Sequence, residues 1–224
     1  VTAASALADA LAHATGRAHR DDPALPGTGG PAGNAQLTAW IGLVLLVAFL
    51  AELVTLLDVT ALISWHIAIG VLLVPPALVK TATTGWRILR YYTGNRPYLQ
   101  AGPPPLLLRL LGPLVVVTTL ALLGTGLALI PLGPDSTRAS LLAFAGVRVT
   151  PLTLHQGAFI AWAVATGLHV IARVVPAARL ALAPPGQSRV AGVTSRTLTL
   201  LGTVLIGAVA ALLVLALVHS WTVR

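Results

Sequence analysis

Cysteine is absent from this 224-residue chain. Its absence excludes disulfides, thiolate metal sites, iron–sulfur clusters and covalent haem attachment through a Cys-x-x-Cys-His motif. Charge is scarce as well: 9% of the residues are Asp, Glu, Lys or Arg, against about 25% in an ordinary globular domain. Aromatic residues are only 5%, so the 56% hydrophobic content is mostly aliphatic Leu, Val, Ala and Ile, the composition of lipid-facing helices. A disordered chain or a nucleic-acid-binding domain is excluded by that composition, although the formal net charge is +8 and the pI near 11.5. With thiolates gone, any redox cofactor must be held by the six histidines or the single lysine.

What is present is a series of long apolar runs. After Gln36 the sequence divides into five stretches, at about 37–57, 62–86, 106–130, 152–175 and 194–220. Each is long enough, at about 1.5 Å per residue, to cross a hydrocarbon layer about 30 Å thick. Breaker residues mark the connections, including Pro103-Pro104-Pro105 and Pro184-Pro185-Gly186. The sequence therefore predicts an all-α integral membrane bundle of five transmembrane helices over 37–224. Residues 1–36 read as an extramembrane arm, containing Arg17, Arg20, Asp21, Asp22 and a Pro/Gly-rich run, with a short Ala-rich helix at 2–14. The chain as given does not open on methionine, which suggests a processed or incompletely known start.

Arginines set the expected topology. Arg87, Arg90, Arg96, Arg109, Arg173, Arg179, Arg189 and Arg196 fall on one face together with the arm; Arg138, Arg148 and Arg224 fall on the other. By the positive-inside tendency the N-terminus is cytoplasmic and the C-terminus extracellular, in the cell membrane, with a cationic collar meeting anionic lipid.

Ionisable groups inside spans are costly and point to function. His66 lies about one turn into the second span and His155 about one turn into the fourth, counted from the same face. Lys80 follows His66 by 14 residues and His169 follows His155 by the same 14. Fourteen residues is about four helical turns, so each pair stays within roughly 40° of one face and about 21 Å apart along the axis. Two facing helices thus carry nitrogen donors at two levels, His66 with His155 and Lys80 with His169. That is what a pair of bis-axially ligated haems requires.

Other readings attach to the same residues. A transmembrane histidine also serves as an interhelical hydrogen bonder, and a lysine near a helix end snorkels to the interface. Yet all 13 other cations are arginine, and arginine cannot lose its proton to become a ligand. Gly70, Gly112, Gly124, Gly126, Gly157 and Gly167 offer clearance for a macrocycle or serve ordinary helix packing. Arg87, Arg90, Arg109 or Arg173 at the inner face, and Arg138 or Arg148 at the outer, are candidate partners for haem propionates. Glu52, the one charge of the first span, is a proton relay, a quinone-headgroup contact or an interhelical hydrogen bonder. Trp86, Tyr91, Tyr92 and Trp221 read as belt aromatics, His219 as interfacial, and His13 and His19 belong to the arm with no evident partner.

These paired levels resemble the two-haem four-helix bundle of the cytochrome b/b6 superfamily and its smaller relatives, the cytochrome b subunits of formate dehydrogenases, hydrogenases and molybdopterin oxidoreductases. The stretch from His66 to Gly94, with Pro75-Pro76, Lys80 and Arg90-Tyr91-Tyr92-Thr93-Gly94, followed by Gly102-Pro103-Pro104-Pro105, is also similar to actinobacterial cytochrome b-like membrane proteins. The resemblance implies two non-covalent b haems carrying electrons between a redox partner subunit and a quinone, such as menaquinone, or a second partner. Lys80 departs from it, since the superfamily pattern has histidine at that level. A proton-coupled transporter or channel, or a haem-free structural subunit of a respiratory complex, are the alternatives. No nucleophile–base pair, phosphate loop or paired carboxylates mark a catalytic site, so the expectation is an electron-transfer subunit of an oxidoreductase.

Overall fold

A computed structural model describes residues 2–17, 22–144, 146–182, 190–218 and 221. Five helices are long and apolar enough to cross a membrane: α2 (Gly30–Thr55), α3 (Ile63–Tyr92), α5 (Leu106–Ser136), α6 (Pro151–Ala181) and α7 (Val193–Leu217). A helix α1 (Ala3–Ala14) precedes them, a short α4 (Arg96–Ala101) follows α3, and a small hairpin of β1 (Leu142–Phe144) and β2 (Val147–Val149) joins α5 to α6. The architecture is the expected all-α bundle. Large apolar side chains remain uncovered on it, such as Leu205 (64% exposed), Ile206 (63%) and Leu212 (69%). In water so much exposed apolar surface would be a liability; in lipid it is the outer wall.

Helix boundaries run beyond the expected spans at several points. α2 begins at Gly30 because Pro31 sits in its first turn, where a missing N–H costs nothing. The Pro/Gly-rich run assigned to the arm thus supplies the start of the first span. α3 continues through Arg87 and Arg90 to Tyr92, and α5 to Ser136 across a kink at Gly133, whose φ of 72° suits glycine. α6 opens on a reciprocal capping box between Thr150 and Thr153, with Pro151 in its first turn.

Helices α2, α3, α5 and α6 form a ring in which α3 touches α2 and α5, and α6 touches the same two. The partners α3 and α6 therefore stand diagonally across the bundle. α7 packs outside the ring, chiefly on α3. The core between α2 and α3 is built from Ile41, Leu45, Leu73 and Ala77.

Two prolines organise this packing. Pro76 has no N–H for the carbonyl four residues earlier, that of Leu72. Gly207 of α7 lies against that carbonyl so closely that a Cβ there would stand 2.6 Å from its oxygen. Pro134 likewise leaves the Ile130 carbonyl free, and the indole N–H of Trp221 donates to it at 3.2 Å. The tryptophan expected as a belt aromatic also caps a proline-interrupted helix.

The arginine-rich end is held by the arm. Asp22 forms a two-point ion pair with Arg87, at 3.0 and 2.6 Å. Arg196, 5% exposed, donates to the carbonyls of Thr28, Val190 and Ala191. Arg179 donates to the Gly16 carbonyl at 2.8 Å.

Candidate functional site

His66 on α3 and His155 on α6 are brought together across the diagonal, their ring centroids 6.3 Å apart and their planes nearly perpendicular at 82°. Each ring is anchored from behind by a different helix. Thr55, at the end of α2, directs its hydroxyl proton to the Glu52 carbonyl at 2.5 Å. Its oxygen is then an acceptor for His66 Nδ1, at 2.9 Å. Glu52 Oε1 lies 3.0 Å from the same nitrogen. On the other side, Thr125 of α5 directs its proton to the carbonyls of Ala121 and Leu122, at 2.7 and 3.0 Å, so its oxygen accepts from His155 Nδ1 at 3.1 Å.

This donor count assigns the tautomers. With each threonine proton on its backbone carbonyl, both Nδ1 atoms carry hydrogen and both Nε2 atoms keep a lone pair. Ring nitrogens held in that way are set up as metal ligands, since a metal-binding imidazole gives its other N–H to an oxygen that fixes tautomer and orientation.

Gly126 of α5 makes room for the second ring: a Cβ there would stand 3.0 Å from His155 Cε1. Gly70 plays a lesser part beside Glu52 Oε1, at 3.6 Å. Added Cβ atoms at Gly112, Gly124, Gly157 and Gly167 would meet nothing within 4 Å. The side-chain clearance expected of the glycines is therefore required at Gly126, while those four lie against open space.

At the other level the geometry differs. Lys80 does not reach across the diagonal; its Nζ donates to the Thr38 carbonyl of the adjacent helix α2, at 3.0 Å. It occupies a notch left by Gly42, where a Cβ would stand 2.8 Å from Nζ. Asn34, Thr38 and Thr83 complete a polar seam between α2 and α3, with Asn34 donating to the Thr83 carbonyl at 3.1 Å and Thr38 to the Thr83 hydroxyl at 3.0 Å. His169 is half-buried on α6 and lies within electrostatic range of both Lys80 and Arg173.

Between the two levels stands a residue that the sequence reading did not single out. Trp162 is 5% exposed and is seven residues from both His155 and His169, about two turns each way on one face of α6. Phe49 of α2 packs on it with ring centroids 4.6 Å apart, and Phe159 at 6.1 Å. Its indole N–H and the Thr166 hydroxyl are buried with no hydrogen-bond partner among the described residues. The spacing of seven from each histidine was the available signal.

Arg87, a candidate for a propionate, is ion-paired with Asp22. Arg109 is exposed and donates through Nε to the Pro104 carbonyl at 2.7 Å. His13 has a partner after all, the backbone carbonyl and carboxylate of Asp9 on its own helix, at 3.0 and 3.3 Å. His19 and His219 lie outside the described residues. Among the described residues no three His, Asp or Glu side chains converge on a metal-sized space. The donor set is accordingly two imidazoles, which does not suit a four-ligand structural zinc.

The chain matches no protein-family model, no curated protein and no solved structure.

Proposed function

We propose that this protein is a transmembrane electron carrier that holds b-type haem between His66 and His155. The observation that carries the reading is the opposed pair of imidazoles from diagonal helices, each with its Nδ1 proton already taken by an oxygen. Two imidazoles bound through Nε2 to one metal would place their ring centres about 6 Å apart, from bonds of about 2 Å and roughly 1 Å more from each nitrogen to its ring centre. The separation of 6.3 Å agrees with that requirement. With no cysteine in the chain, the haem is non-covalent.

When bound, haem supplies reversible one-electron chemistry at its iron. The chain's own contribution is ligation, orientation and a low dielectric. Thr55, Glu52 and Thr125 hold the Nδ1 protons and so keep both Nε2 atoms available. The apolar bundle half-buries the pair.

A second haem at the Lys80 and His169 level belongs to the same proposal. It is supported by their shared helix faces and by the choice of lysine at this one position. Lys80 must leave the Thr38 carbonyl to take part. Electrons then pass between a redox partner subunit at one face and a quinone or second partner at the other, in the cell membrane, with the arginine-rich end and the N-terminus cytoplasmic.

The test is the pyridine haemochrome spectrum of the purified full chain with its haem-to-protein ratio. A b-type spectrum that is lost or halved in both His66→Ala and His155→Ala supports the assignment. A colourless preparation from haem-sufficient cells, or a spectrum indifferent to both substitutions, refutes it.

A further inference from the structure

The arm helix α1 leaves a cavity against the bundle wall. Leu7, Ala10, Leu11 and Ala14 recur at helical spacing on one side of it. They face Leu110 and Leu114 of α5 and Ile171 of α6 across a groove of about 430 Å³ that is almost wholly apolar. Leu7 and Leu11 remain 53% and 50% exposed although α1 packs against α5 and α6. The amphipathic stripe thus points at the two helices without filling the space. From Leu107 to Leu114 the groove runs about 10 Å along α5, at the arginine-rich end of the bundle.

Its surroundings are cationic. Arg17 follows the end of α1, and Arg109 lies among the groove leucines of α5. Both are exposed, whereas Arg173, next to Ala172, stands toward Lys80, His169 and the Asp22–Arg87 pair. Arg179 adds a third guanidinium where it donates to the Gly16 carbonyl. Few carboxylates oppose them: Asp9 pairs with His13, and Asp22 clamps Arg87. An apolar slot beside exposed guanidinium groups, at the level where helices leave the membrane, complements one molecule class, a lipid with an acyl chain and an anionic headgroup.

We propose that the groove between α1, α5 and α6 is a binding site for an anionic phospholipid, with an acyl chain against the leucines and the phosphate at Arg109 and Arg17. The site does not depend on the electron-transfer reading. Occupation would also fix α1 to the bundle.

Native mass spectrometry of the delipidated full chain, titrated with dioleoyl phosphatidylglycerol or dioleoyl phosphatidylcholine, tests this. One phosphatidylglycerol is expected to be retained in clear preference to phosphatidylcholine. Arg109→Gln should weaken that retention roughly fivefold, the effect of one surface cation on anionic lipid. Ala10→Trp fills the groove from α1, outside the membrane-spanning helices, and should abolish retention of the lipid while leaving the helical content of the bundle unchanged. Equal retention of the two lipids, or phosphatidylglycerol binding untouched by Ala10→Trp, would overturn the proposal. So would a doubled mass in the absence of lipid that Ala10→Trp returns to a single chain, since a second copy would then be the occupant.

Discussion

Replacing Thr125 by valine preserves the shape of the side chain and removes the hydroxyl oxygen that stands 3.1 Å from His155 Nδ1. The threonine's own bonds to Ala121 and Leu122 duplicate helix hydrogen bonding, so their loss is minor. What remains is a half-buried N–H with only the Leu122 carbonyl beside it, a weakened arrangement that costs on the order of 1 kcal/mol. On ligand affinity, loss of an oxygen behind a metal-bound histidine is worth roughly 10- to 100-fold. The matching change on the opposite ring, Thr55→Val, should be milder, because Glu52 Oε1 still stands 3.0 Å from His66 Nδ1. Haem transfer to an apo-globin acceptor, followed by absorbance, measures both. Thr125→Val is expected to accelerate haem loss by at least tenfold and Thr55→Val by much less. Equal effects, or none in Thr125→Val, would show that the hydrogen-bond accounting behind the two tautomers is wrong.

The remaining expectations concern the second level and the packing. In Lys80→Met one of two haem components should disappear or shift in the reduced spectrum; an unaltered spectrum at full haem content refutes lysine ligation. Gly207→Ala drives a Cβ to 2.6 Å from the Leu72 carbonyl oxygen and should destabilise by about 1–3 kcal/mol, as overpacking does. Gly202→Ala, on the same helix but facing open space, should be neutral or stabilising by up to about 1 kcal/mol; thermal unfolding in detergent that ranks the two alike would contradict the close approach of α7 to α3. Arg196→Gln deprives three backbone carbonyls of a charged donor and should cost on the order of 3 kcal/mol, visible in the same melts and as faster proteolysis at residues 22–30. Were those segments cut at the wild-type rate, Arg196 would not be what holds the arm.

Much of the candidate site was readable because helical periodicity is rigid. Positions 66 and 80, and 155 and 169, must share faces on any straight helix of 3.6 residues per turn, and a histidine one turn from the same membrane face on two spans must share a level. Chain-neighbour arithmetic does not extend sideways, however. That Thr125, 30 residues from His155, and Glu52, 14 from His66, stand behind the rings depends on which helices are adjacent. Lys80 shows the same limit: its place along α3 was evident, but Gly42 on another helix opens the notch that turns its ammonium toward Thr38. The arm was legible as polar and basic, while Asp22 reaching Arg87 across 65 positions was not.

Composition and the spacing of apolar runs were by themselves sufficient to place this chain in a membrane as five α-helices, because backbone polar groups in lipid must be satisfied within each segment. The diagonal placement of α3 and α6, the orientation of each imidazole and the resting place of the lysine were decided by side-chain packing between segments distant in the chain. That packing depends on which small residues meet which neighbours, a three-dimensional coincidence that no one-dimensional period encodes.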